Sequence, residues 1–283
     1  MNTILLPLRD GEAASAAVEL AHRVATRFGS HIEGLFVRAV PPLVAGDGPV
    51  PAQYRRQYAE MWKENAEAAR TAFTTAMGRL GVPFREMASG DHAPTAWWRE
   101  VEGDGSDIVG SYGRLFDLIL LARPDEPGAA DWSDTCEAAL FDTGRPVLIA
   151  GKQPLGSVGE QVVIAWNGST ETARTIALGS RLLADAEAIT VLEVKGAAGG
   201  RVPGPSAEEV AAHLSRGGHN ANARLVEAGG RSSGVAVLEE AEALKADLLV
   251  KGAYSQNRLR AMIFGGTTRH VLAHASMPLL IAH

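Results

Sequence analysis

The chain repeats itself, and that repeat limits the fold more than any other feature of the sequence. Asn2-Thr3-Ile4-Leu5-Leu6-Pro7 is a short apolar run; Asp10-Gly11-Glu12 follows, then a helical pattern from Ala13 to Phe28 and a second apolar run from Ile32 to Val37. About 158 residues later the order returns, which is the length of one modest domain. Val162-Val163-Ile164-Ala165-Trp166 is apolar, Asn167-Gly168-Ser169 breaks it, Glu171 to Ala184 is helical in pattern, and Ile189 to Val194 is apolar again. The copies also end alike. Phe116-Asp117-Leu118-Ile119-Leu120-Leu121-Ala122 matches Ala246-Asp247-Leu248-Leu249-Val250-Lys251, and Arg145-Pro146-Val147-Leu148-Ile149-Ala150 matches Met277-Pro278-Leu279-Leu280-Ile281-Ala282.

Short runs of Val, Ile and Leu alternating with helical stretches indicate a parallel sheet buried on both faces. Each copy is predicted to run β-α-β-α-β-α-β-α-β. The fold class is therefore α/β, with two tandem open parallel-sheet domains over residues 1–152 and 159–283. Gly151 to Glu160 has linker composition. The middles differ. The first copy has a Pro/Gly-rich loop, Pro41 to Pro51, then a long helix over 51–80 with Tyr54, Tyr58, Met61 and Trp62 at helical spacing. The second has a shorter helix over 206–216. Third helices are predicted near 91–101, capped at Asp91-His92 and carrying a packed pair Trp97-Trp98, and near 234–245. Gly103 to Tyr112 reads as an insertion in the first copy.

Composition removes several classes of function. The 283 residues are 46% hydrophobic and 21% charged, enough for two cores and too apolar for disorder. The net charge is −6. A nucleic-acid binder would ordinarily be basic, so no nucleic-acid partner is expected. The acidic excess lies in the first half, and the second half is balanced, so the second half opposes a phosphate less. No apolar stretch is long enough to cross a membrane, and the N-terminus reads as a strand without the basic start of a signal peptide. The single cysteine, Cys136, forms no internal disulfide and suits a reducing compartment; a cytoplasmic location is expected. No P-loop or dinucleotide fingerprint is present. His270 and His274 have metal-ligand spacing, but without a Glu after His270 they read as surface or packing residues.

In an open parallel sheet, ligands bind beyond the carboxyl ends of the strands. Two such places stand out in the second copy. One is Trp166-Asn167-Gly168-Ser169 after its first strand. The other runs from Gly252-Ala253 through Ser255 and Arg258 to Gly265-Gly266-Thr267-Thr268, ahead of a last helix. Bare backbone N–H groups and two hydroxyls at a helix start suit a phosphate, and the helix dipole adds attraction. Asn167 also suits a helix cap. Arg258 and Arg260 are candidates to reach the phosphates. The corresponding part of the first copy, Arg123 to Ala130, lacks spaced glycines and carries Asp125 and Glu126, which repel phosphate.

These residues resemble the nucleotide-binding members of the universal stress protein family. That family carries Gly, two residues, Gly, nine residues, then Gly and Ser or Thr. Here Gly252, Ser255, Gly265 and Gly266-Thr267 keep the spacing, with Ser255 in place of the second Gly and Gly266 in place of the hydroxyl residue. Asn167 stands where the family has an aspartate that contacts the nucleoside, and Val194 where backbone groups meet the adenine. The resemblance implies a tandem protein with Rossmann-like, adenine-nucleotide alpha-hydrolase-like domains. It implies ATP, with or without Mg²⁺, bound in the second domain as a regulatory ligand of a stress response. With no general base or metal carboxylate placed for it, hydrolysis is expected to be slow at most. The first domain is then a degenerate copy. The family's last strands pair, which implies pairing of Val147 to Ile149 with Leu279 to Ile281 and the possibility of a homodimer. A rival reading is a nucleotide-free interaction protein acting through its domain and dimer surfaces. A third, an enzyme built on Asp91, His92 and Cys136, requires an exposed Cys136 of depressed pKa.

Overall fold

The apolar runs become strands and the periodic stretches become helices in the expected order. The structure is a computed structural model that describes residues 1–9, 16–40, 44–45, 48–87, 92–123, 130–152, 156–197, 202–253 and 266–283. It divides into two compact units, Met1–Thr143 and Gly144–His283.

The first unit contains β1 (Thr3–Pro7), α1 (Ala16–Phe28), β2 (His31–Arg38), a small hairpin of β3 (Val44–Ala45) and β4 (Gly48–Pro49), α2 (Ala52–Arg79), β5 (Thr95–Glu102), α3 (Gly105–Tyr112), β6 (Leu118–Leu121) and α4 (Ala130–Asp142). Its main sheet is parallel, in the order β6-β1-β2-β5. Ile4, Leu5, Leu6 and Leu118 to Leu120 are wholly buried, as strands covered on both faces must be. The second unit contains β7 (Val147–Ile149), β8 (Gln161–Ala165), α5 (Thr170–Leu178), α6 (Ser180–Leu183), β9 (Ala188–Lys195), α7 (Ala207–Arg216), β10 (Ala221–Glu227), α8 (Ser233–Ala243), β11 (Leu248–Gly252), α9 (Gly266–His274) and β12 (Leu279–Ala282). The order is β10-β9-β8-β11-β12-β7. All pairs are parallel except β12 with β7, which run antiparallel with Leu280 opposite Leu148. The strand that closes the first sequence repeat thus pairs within the second unit. The units divide between Thr143 and Gly144, before the expected linker.

The middle of the first copy departs from the sequence reading. Thr95–Glu102 is a strand, not a helix. Trp97 and Trp98 face opposite sides: Trp97 meets Phe84 at 5.4 Å, whereas Trp98 meets Phe73 at 5.6 Å. Adjacent apolar residues hide the period of two when a strand is covered on both faces. Gly103 to Tyr112 is no insertion; it holds the third helix of the repeat. Asp104 caps α3 by accepting from the N–H groups of Ser106 at 2.9 Å and Asp107 at 3.1 Å. At the other end, the Tyr112 hydroxyl donates to Glu33 Oε1 at 2.8 Å, and Arg99 pairs with the same oxygen. Burial, reinforced by the Glu33 hydrogen bond, pushes the Tyr112 phenol up to about 12.

The repeat extends to an aspartate before the fourth strand of each copy, half-buried in the first and buried in the second. Asp117 accepts from the N–H groups of Asn2 and Thr3 at the start of β1. Asp247 accepts from the N–H groups of Gly159, Glu160 and Gln161 at 3.0, 3.1 and 2.9 Å, and from the Ser157 hydroxyl at 2.6 Å. Each carboxylate fixes where its first strand enters the sheet. Among the described residues, no helix is long and apolar enough to cross a membrane.

Asp247→Ala leaves buried N–H donors without an acceptor and is expected to destabilise the protein by about 2–4 kcal/mol in urea unfolding; a change below about 0.5 kcal/mol would show that water replaces the carboxylate.

Candidate functional site

The carboxyl ends of β8 and β11 meet the starts of α5 and α9, and one hydroxyl organises the meeting. Thr172, on the first turn of α5, is almost fully buried. Its Oγ1 donates to Asn167 Oδ1 at 3.0 Å and accepts from the Gly252 N–H at 3.2 Å. Asn167 Oδ1 also accepts from the Ser169 N–H at 3.2 Å. The cap of α5 is Ser169, whose side chain accepts from the Thr172 N–H. Asn167 therefore does not cap the helix. It sits one layer above the cap, with Oδ1 engaged and, among the described residues, no partner for Nδ2.

Several expected site residues serve the protein's own packing. The Trp166 indole donates to Pro205 O at 2.8 Å, and Val202 N–H donates to Asn167 O at 2.9 Å, so the segment after β9 lies against the β8–α5 turn. Gly168 has φ +86°, and a Cβ there would lie 2.4 Å from Val202 O; only glycine meets both demands. A Cβ on Gly252 would lie 2.4 Å from Thr172 N, so the start of α5 requires this glycine whether or not a ligand approaches. Ala253 is wholly buried and its N–H donates to Ala282 O at 2.9 Å, which removes that donor from any ligand. Val194 lies past the last residue pair of β8 with β9, Ala165 opposite Leu192, and opposite Val226 on its other side.

The start of α9 is different. Gly266 is exposed, and a Cβ added there would meet none of the described residues within 4 Å. Thr267 is half-buried and Thr268 is buried. The first turn contains no acid, and the leading N–H groups of a helix have no acceptor inside it. Beneath it lies Lys251, a residue that motif spacing did not select. Its Nζ donates to Thr268 Oγ1 at 2.8 Å and to Gly252 O at 2.9 Å. Burial pulls the ammonium down to about 8, partly opposed by Glu171 on α5. A lysine ending the run Leu248-Leu249-Val250 was the available signal. Ser255, Arg258, Arg260 and Gly265 lie outside the described residues.

Among the described residues, the first unit differs at the matching place, where a cation, Arg123, comes two positions later than Lys251 does. Leu121 and Ala122 stand where Lys251 and Gly252 stand, and the Trp132 indole from α4 donates to Ala122 O at 2.7 Å. Cys136 is fully buried, and burial pushes its thiol up, away from the exposed, depressed state a nucleophile needs. Asp91 lies outside the described residues. His270 and His274 stack at 4.3 Å between ring centroids, and no group of three or more His, Cys, Asp or Glu able to hold a metal is found among the described residues.

An open, mostly parallel sheet with a helix start at its carboxyl edge defines an α/β protein. Residues 159–283 match the model of the Universal stress protein family. A universal stress protein from Archaeoglobus fulgidus DSM 4304 shares 16% identity with a TM-score of 0.73, covering 99% of this chain and 96% of that one. A putative universal stress protein from Pseudomonas aeruginosa UCBPP-PA14 shares 16% identity with a TM-score of 0.58, covering 100% of this chain and 93% of that one. A functionally unknown protein from Pseudomonas aeruginosa PAO1 gives 15%, 0.57, 100% and 92%. These likenesses show a shared tandem α/β fold. No curated protein matches the sequence.

Gly252→Ala is expected to lower stability by about 1–3 kcal/mol with no ligand present, because α5 must move to admit the methyl group; an unchanged melting temperature would show that α5 yields freely.

Proposed function

We propose that the second unit binds an adenine nucleotide, ATP, at the start of α9, and that the bound nucleotide acts as a regulatory ligand in a stress response. One observation carries this reading: the acid-free first turn of α9 opens on an exposed, bare Gly266 and carries the buried Thr268 that bonds Lys251. Backbone N–H groups and a helix dipole at one point attract phosphate oxygens. The half-exposed Asn167 and Val194 at the ends of β8 and β9 are the candidates to hold the nucleoside. Asn167 Nδ2 is a donor there, where a carboxylate would accept. The match of residues 159–283 to the family, and the names of the similar structures, support the stress-response role.

A second reading, an interaction protein that needs no nucleotide, is favoured by the first half of α2. Tyr54 is 58% exposed and Met61 45% exposed along one side of that helix.

The separating test is calorimetric titration of ATP, with and without Mg²⁺, into the full chain and into Gly266→Leu. A Cβ at Gly266 meets none of the described residues within 4 Å, so the variant should keep its melting temperature while obstructing the helix start. The nucleotide reading expects micromolar binding in the parent and a loss of at least about tenfold in the variant. Undetectable binding at millimolar ATP would overturn it and leave the interaction reading.

A further inference from the structure

We infer that Lys251 supplies the positive charge that the phosphate chain of the nucleotide binds against, so that this residue makes the site select phosphorylated ligands over the bare nucleoside. The inference rests on the nucleotide reading above and adds the charge that reading lacks.

The fold gives no reason for a lysine here. Leu248, Leu249 and Val250 are wholly buried, and the sheet would accept an apolar residue at the next position. The first copy has one there: Leu121, buried, with Trp132 reaching the following carbonyl. Lys251 instead places an ammonium among neutral oxygens. Two of its three donors go to Gly252 O and Thr268 Oγ1. Among the described residues no carboxylate lies within ion-pair distance of Nζ, and Glu171 on α5 acts on it only from farther away. A partly buried cation without a counter-ion destabilises the ligand-free protein. An arriving anion would supply the missing charge and convert that penalty into affinity.

The geometry connects the lysine to the proposed ligand position. Thr268 belongs to the first turn of α9, so one hydroxyl separates Nζ from the N–H groups that face the phosphate. The depressed ammonium is consistent with this: it is charged below about pH 8, and a bound phosphate would hold its proton to higher pH.

The test compares the full chain with Lys251→Met, titrating ATP, adenosine and pyrophosphate at pH values below and above about 8. The expected result is a loss of about tenfold or more in ATP and pyrophosphate affinity, no change for adenosine, and a higher melting temperature for the ligand-free variant. Parent ATP affinity should fall as the pH rises through 8, and the variant should stay level. Equal ATP affinity in parent and variant would overturn the inference and leave the nucleotide reading standing. A parent that takes pyrophosphate through Lys251 but no ATP would do the reverse. A parent that takes neither overturns both. Should Lys251→Met fail to fold, carbon-13 reductive methylation of the parent reports the Lys251 titration directly. Saturating ATP is expected to raise it, and an unmoved titration would overturn the inference.

Discussion

The Thr172 hydroxyl fixes the distance between the ends of β8 and β11, and the rest of the candidate site follows from that distance. From the first turn of α5, the helix that follows β8, it binds Asn167 in the turn after β8 and the Gly252 N–H at the end of β11. The contact is possible only because Gly252 has no side chain; a Cβ would fall on Thr172 N. With β11 pressed against α5, Lys251 is directed toward α9 and meets Thr268. Farther into the sheet, Thr175 repeats the device. Its Oγ1 donates to Glu171 O at 2.8 Å and accepts from the Ala282 N–H at 3.1 Å, tying α5 to β12. Small hydroxyl residues on one face of α5 let helix and sheet approach closely without leaving buried polar groups unpaired.

The two copies share a framework and differ at the ligand edge. Asp117 and Asp247 do the same task in both, holding the first N–H groups of β1 and the approach to β8. At the strand ends the chemistry separates. Leu121, Ala122 and the Trp132 indole close the end of β6 with apolar packing and a spent carbonyl. Lys251, Gly252 and Thr268 leave the end of β11 polar and charged. Arg123 follows Ala122, partly buried, so both strand ends carry a cation; what sets the second apart is that Lys251 meets the start of its last helix through Thr268.

Much of the fold was legible because strands covered on both faces read as unbroken apolar runs, and runs such as Ile4 to Leu6 and Val162 to Ile164 have no competing interpretation. Thr95–Glu102 was not legible. Two tryptophans side by side and alternating charges after them imitate a helix, and only the pairing with β2 settles the strand. Once that segment is a strand, Asp104 becomes the cap of the missing third helix, and the apparent insertion disappears. At the candidate site, glycine spacing pointed to one edge of the sheet but not to the duty of each residue. Trp166, Gly168, Gly252 and Ala253 are required by packing among elements distant in sequence, such as Pro205, Val202 and Ala282. Spacing carries no information about such contacts. Lys251 escaped for the opposite reason: it lies inside a strand run, where a single charge is easily taken for an edge residue.

The central claim is that the start of α9 in the second unit holds the phosphates of a nucleotide. The most direct measurement is a crystal structure of the full chain grown with ATP. The account expects phosphate oxygens within hydrogen-bond distance of the N–H groups of Gly266 to Thr268, with Lys251 Nζ turned toward them and no nucleotide in the unit spanning Met1–Thr143. Phosphates lodged elsewhere, or a protein saturated with ATP in solution whose crystals leave the α9 start without it, would contradict the claim.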